Sequence, residues 1–220
     1  MVTTKFQSEI ISIRSLTDST YILRFERKDM KFIAGQYIVV GVQSSKQKRE
    51  YSIYSPVNVP YLEVIIKEVD NGFLSRKLKQ VHPGDVVDIE GPFGYFVLDE
   101  KLLTERKYLF ISSGTGISPF HSIILSYPGI NYRLLHGVRH LSEGYDRDNY
   151  ENGNYIQCVS QEAGGDFHGR VTEYLLKNKK DIDPDSWVYL CGNSVMIDDA
   201  YSILEKMGIQ SNRIHAEVYF

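Results

Sequence analysis

The sequence predicts two domains: an N-terminal antiparallel β-barrel over residues 1–98 and a C-terminal α/β domain with a parallel sheet over residues 105–220. Three observations carry that prediction. A chain of 220 residues exceeds the usual single-domain size and can hold two cores. Its first hundred or so residues are short β-rich segments divided by turn residues, with one helical interruption. From about residue 105 strands and helices alternate, as they do in an open, mostly parallel sheet.

In chain order, FQSEIISI, TYILRFER, GQYIVVGV, REYSIYS, YLEVIIKEV and DVVDIEG are rich in β-branched and aromatic residues, and Asp18, Gly35, Asn58 and the Pro83-Gly84-Asp85 turn punctuate them. Such a series suits a small closed barrel. NGFLSRKLKQV, residues 71–81, places Phe73, Leu74 and Leu78 on one face of a short inserted helix. LDEKLLTE, at about 98–105, is too apolar and short for a flexible linker. Beyond it, KYLFISS is a buried-type strand, GTGISP a turn and FHSIILSY a helix. YRLLHGV and YIQCVSQ are strands, RVTEYLLKN a helix, and SWVYLCG leads into the helix SVMIDDAYSILEKMG, which Gly208 stops. HAEVYF is a last short strand. Ligands of such sheets sit beyond the carboxyl ends of the strands, so the residues that follow strands are the ones to inspect.

Composition narrows the function. With 42% hydrophobic and 24% charged residues the chain reads as an ordinary globular protein, and a net charge of −3 argues against general affinity for nucleic acid. The first twenty residues lack the apolar core of a signal peptide and no run is long enough to span a bilayer, so a cytoplasmic protein without membrane attachment is expected. Cys158 and Cys191 cannot alone supply the four thiolates of a cluster or structural zinc, and a disulfide between them stays open. His121, His136, His140 and His168 match no metal-ligand spacing and are expected as solvated or core side chains, with no metal bound.

Three stretches could carry chemistry. In GTGISPF the glycines Gly114 and Gly116 let backbone approach an anion, and Ser118-Pro119 reads as a helix cap and first helical residue, so free amides would face phosphate. An ordinary tight turn between strand and helix fits this stretch equally well. In REYS an extended backbone sets Arg49 and Tyr51 on one face and Ser52 on the other, a fork and a ring suited to a ligand with phosphate and an aromatic system, or to a solvated barrel face. CGNS puts Cys191 and Gly192 at a strand's carboxyl end, where a crevice is expected; a small buried core thiol is the other reading. The chain also closes on two rings, Tyr219 and Phe220, which need a reason to be there.

Taken in order, REYS, GFLS at 72–75, GTGISP, CGN at 191–193 and AEVYF resemble the motifs of the ferredoxin/flavodoxin–NADP reductase family, in its compact bacterial form. The resemblance covers essentially the whole chain. It implies a flavin-binding Greek-key barrel followed by a nicotinamide-nucleotide domain, with FAD and NADP(H) as cofactors. It further implies that Arg49 pairs with the FAD pyrophosphate, Tyr51 lies on the isoalloxazine and Ser52 reaches flavin N5. Backbone of Ile65 and Lys67 would hold the flavin's polar edge, and Gly72, Phe73, Leu74 and Ser75 the pyrophosphate. Gly114, Thr115 and Gly116 would receive the nicotinamide nucleotide, with Thr115 near both cofactors and Cys191 and Gly192 beside the nicotinamide. Glu217 is implied in electron transfer and proton supply, Tyr219 as the ring over the flavin and Phe220 as a contact for a folded-back FAD adenine. Ser52, Cys191, Glu217 and Tyr219 are thus the catalytic set, in a protein that passes hydride between NADP(H) and flavin and single electrons to or from a separate ferredoxin or flavodoxin, acting as a monomer.

One position departs from the family. Arg139 and Arg170 match two arginines that hold the 2′-phosphate, but Gln161 stands where a third is expected. Losing one charge-assisted contact costs about 1.5–3 kcal/mol, so NADPH stays favoured while NADH also comes into range. A reductase that serves an oxygenase or free flavin, and a non-catalytic nucleotide-binding subunit, are the competing readings.

Overall fold

A computed structural model describes residues 3–42, 47–69 and 72–219. The chain divides into two compact units, Met1–Leu98 with Ser118–Ser126, and Asp99–Ile117 with Tyr127–Phe220.

The first unit is a six-stranded antiparallel, nearly closed barrel of β1 (Thr4–Ser15), β2 (Thr20–Glu26), β3 (Tyr37–Val42), β4 (Lys48–Ser52), β5 (Tyr61–Lys67) and β6 (Val86–Phe93), in the order β4-β3-β6-β1-β2-β5. Alternation builds its core. Tyr21, Leu23 and Phe25 of β2, Ile38 and Val40 of β3, Leu62, Val64 and Ile66 of β5, and Val87 and Ile89 of β6 all face inward at a spacing of two. The terminal strands of that order meet beyond β4, where the Tyr54 amide donates to the Glu63 carbonyl at 2.7 Å and the Glu63 amide to Ser55 Oγ at 3.1 Å. The helix α1 (Phe73–Lys79) inserts Leu74 and Leu78, four positions apart, into the barrel core, whereas Phe73, which the sequence places on the same face, is half-exposed.

Helix α2 (Ser118–Ser126) belongs to this unit, although the sequence places it in 105–220. Polar contacts explain the difference. His121 Nδ1 lies 2.8 Å from the Tyr54 carbonyl while its ring stacks on Tyr54 at 3.6 Å; Ser122 Oγ donates to the Ser55 carbonyl at 2.8 Å and the Val57 amide to Ser126 Oγ at 2.9 Å.

The second unit holds a six-stranded parallel sheet of β7 (Lys107–Ser113), β8 (Asn131–Val138), β9 (Tyr155–Val159), β10 (Phe167–His168), β11 (Trp187–Gly192) and β12 (Ile214–Val218), ordered β10-β9-β8-β7-β11-β12. Leu109, Ile111, Leu135, Cys158, Val188 and Leu190 form one apolar face, packed with Val171 and Leu175 of α3 (Val171–Lys177) and Ile197, Ala200 and Leu204 of α4 (Ser194–Lys206). Asn193 caps α4 by accepting from the Val195 amide at 3.0 Å. Within this unit the Arg106 guanidinium lies 3.6 Å from the Trp187 ring centre, and Tyr108 donates to the Leu102 carbonyl at 3.3 Å. Among the described residues no helix is long and apolar enough to cross a membrane.

Candidate functional site

Each unit presents its own constellation. In the barrel, β4 carries Arg49 exposed, its Nη1 donating to the neighbouring Lys48 carbonyl at 2.9 Å, with Tyr51 half-buried and Ser52 buried. Burial pushes the Tyr51 phenol up to about 12, against the pull of Arg49, so the ring is neutral beside a cation. Along β5, Glu63 directs its amide and carbonyl away from β2, toward the Tyr54–Ser55 segment. Strand alternation therefore sends the amides and carbonyls of Ile65 and Lys67 to that same outer edge. At the start of α1, Gly72 has no space for a side chain, since a Cβ would collide with Val69 and Ser75 Oγ. Ser75 Oγ donates back to the Gly72 carbonyl at 3.3 Å, and Tyr21 holds the Ser75 carbonyl at 2.6 Å. Leu74 is buried and Phe73 half-exposed under Lys77, 4.3 Å from its ring centre. A bare backbone at a helix start, an exposed guanidinium and a strand edge offering both donors and acceptors fit the pyrophosphate and the polar ring edge of FAD.

In the second unit the strand order reverses direction between β7 and β11, which makes their carboxyl ends the switch point where open α/β sheets bind ligands. GTGI and CGN meet there. A Cβ on Gly116 would strike the Cys191 carbonyl, and one on Gly192, whose φ is +138°, would strike Ser113 Oγ; the Asn193 amide donates to that same Ser113 Oγ at 3.0 Å. Gly114, at φ +53°, opens a 3-10 turn over Gly114–Ile117 that runs directly into α2, so Ser118 is the first helical residue rather than a cap. The glycines serve close backbone packing, and what they leave exposed suits a dinucleotide.

Register exposes a polar row. Gln157, His136, Ser112, Cys191 and Glu217 are lateral neighbours on β9, β8, β7, β11 and β12, all on the face opposite the apolar core. Cys191 is fully buried, and burial with the nearby Glu217 charge holds its thiol well above the usual range, outweighing the opposing Tyr219 hydroxyl; it is no thiolate nucleophile. Cys158 is likewise buried and free, its thiol pushed up to about 12 by burial. Just past β12 the Tyr219 amide donates to the Gly192 carbonyl at 2.8 Å, which fixes the tail on the CGN turn. Phe220 lies outside the described residues.

Arg139 and Arg170 come to one edge. They follow β8 and β10, which flank β9, and the Gln161 amide donates to the Arg139 carbonyl at 3.0 Å. Both arginines are exposed. Sequence reasoning missed two carboxylates here: Glu143 Oε2 accepts from the Arg139 and His140 amides at 2.8 and 3.1 Å, and Glu162 Oε1 accepts from the Leu141 amide. It also missed Ser112, Gln157 and the role of His136. Their signal was faint but present, each standing one or two residues before the carboxyl end of its strand.

Comparison with known proteins gives each part of the chain a family model. Residues 7–98 match the family model described as an oxidoreductase FAD-binding domain, and residues 110–202 the one described as an oxidoreductase NAD-binding domain. Fold and site thus define an oxidoreductase that uses FAD and a nicotinamide dinucleotide. The chain is 30% identical over 232 residues to the flavodoxin/ferredoxin–NADP reductase of Buchnera aphidicola, covering 90% of each chain. It is also 30% identical over 230 residues to the phenol hydroxylase P5 protein of Acinetobacter pittii, covering 96% of this chain and 65% of that one. Among solved structures, a ferredoxin NADP+ reductase from Neisseria gonorrhoeae with bound FAD and NADP shares the fold at a TM-score of 0.87 and 22% identity, covering 98% of this chain and 99% of the other. The chain belongs to the ferredoxin/flavodoxin–NADP reductase family.

Proposed function

We propose that the chain passes hydride between NAD(P)H and FAD, and single electrons to or from a ferredoxin or flavodoxin that is a separate protein. The observation that carries this reading is the switch point, where Gly116 and Gly192 interlock beside Ser112, Cys191 and Glu217. FAD, when bound, supplies an acceptor that takes two electrons together and releases them singly. The chain's work is placement. Arg49 neutralises pyrophosphate charge, the Gly72–Ser75 backbone and the Ser75 hydroxyl bind the same group, and Ile65 and Lys67 grip the polar ring edge through their backbone. Tyr51 covers one ring face, and the Ser52 hydroxyl serves N5. Thr115 and Cys191 bound the nicotinamide pocket without ionising, Arg139 and Arg170 draw in the 2′-phosphate, Glu217 exchanges a proton, and Tyr219 stands where a nicotinamide ring must displace it. An offset aromatic stack is worth about 0.5–1.5 kcal/mol, weak enough for such exchange.

A second reading, delivery of electrons to an oxygenase, is favoured by the likeness to the phenol hydroxylase P5 protein. Anaerobic mixing of the yellow protein with NADPH and NADH in parallel tests the shared core of both readings. Visible absorbance should bleach with at least one donor. A protein that stays colourless after FAD is added, or bound flavin that neither donor bleaches, would sink the reading.

A further inference from the structure

His136 is wholly buried in the second unit, and its two ring nitrogens have different partners. Nε2 lies 2.8 Å from the Gly114 carbonyl and Nδ1 2.9 Å from the Tyr155 hydroxyl. A carbonyl only accepts, so Nε2 carries the proton. Burial lowers the ring's pKa to about 4, which leaves it neutral, with Nδ1 an acceptor of the Tyr155 hydroxyl. The tautomer is thereby set, and Tyr155 is itself held by stacking on Tyr150 at 5.0 Å.

The peptide that His136 holds is the one that matters at the switch point. A trans peptide is planar, with its C=O and the following N–H pointing in opposite directions. Pinning the Gly114 oxygen toward β8 therefore also fixes the direction of the Thr115 N–H, opposite to it. Gly114 has a left-handed φ of +53°, a conformation with several neighbouring alternatives for glycine, so the bond from His136 selects one. We propose that His136, held by Tyr155, is a positioning residue that sets the Gly114–Thr115 peptide for binding the nicotinamide dinucleotide.

This rests on the reading of residues 114–117 as the dinucleotide turn. Two near-isosteric variants separate it from a packing role. Glutamine can place an amide N–H where Nε2 stands, whereas asparagine reaches only the Nδ1 position and the Tyr155 hydroxyl. With FAD-loaded protein, calorimetric titration with NADP+ and NAD+ should show His136→Gln within about threefold of the parent and His136→Asn weaker by about tenfold, the worth of one oriented hydrogen bond. FAD content should be unchanged in both. Tyr155→Phe should lose a smaller factor, with no added loss when combined with His136→Asn. Equal affinities for the Gln and Asn variants, or loss of FAD in step with the dinucleotide, would overturn the proposal. If the parent binds neither NADP+ nor NAD+, the functional reading itself fails, which is a separate result.

Discussion

Under the proposed reading, cofactor choice is set by individual residues at the edge beyond β8 and β9. The backbone donors there are already occupied, the Arg139 and His140 amides by Glu143 and the Leu141 amide by Glu162. On that reading, attraction for a 2′-phosphate falls to the exposed guanidiniums of Arg139 and Arg170, beside two carboxylates. Gln161, bonded through its amide to the Arg139 carbonyl, is the position where the family resemblance implies a third arginine. Gln161→Arg should add one charge-assisted contact worth about 1.5–3 kcal/mol, which raises NADP+ affinity by roughly one to two decades. NAD+, lacking the phosphate, should bind as before. Titration of the variant with both nucleotides decides it, and a parallel gain for NAD+ would place the effect elsewhere.

Elements were legible where periodicity is strong. Segments rich in β-branched and aromatic residues between turn residues revealed the barrel strands, and the spacing of Phe73, Leu74 and Leu78 revealed α1, although only Leu74 and Leu78 enter the core. Long-range features left no such trace. The polar row from Gln157 to Glu217 depends on four successive parallel registers, and no local signal fixes how far one strand slides along the next. The membership of α2 in the barrel unit turns on His121, Ser122 and Ser126, whose partners are 67 to 69 positions away. The motif GFLS was readable as a helix start, yet only the structure shows why its glycine is needed: its φ is ordinary, and the constraint is space between Val69 and Ser75. Gly72→Ala should accordingly push α1 from its place and raise the FAD dissociation constant by about tenfold or more, on the scale of the 1–3 kcal/mol that overpacking costs. Fluorescence of released flavin measures it. NADP+ affinity, set in the other unit, should change little.

At the scale of the whole molecule, the buried histidine links folding to acidity. In the folded chain burial holds His136 near a pKa of about 4, whereas an unfolded histidine titrates near about 6.5. Between these values the unfolded chain takes up a proton that the folded chain refuses, so the stability present above about pH 6.5 is progressively lost as pH falls toward 4. The difference amounts to roughly 3 kcal/mol, a large share of the marginal stability of a domain. His215, whose pKa burial also lowers, adds in the same direction. Carboxylates such as Asp183, held low by its hydrogen bond from Lys107, yield only at more acid pH. Acid unfolding should therefore begin in the pH 6 region, above the range where carboxylates protonate. Melting temperatures from pH 7.5 to 4.5 should decline in the parent and more gently in His136→Gln, which has no proton to gain at that position. Parallel declines in the two proteins would assign the acid sensitivity to other groups.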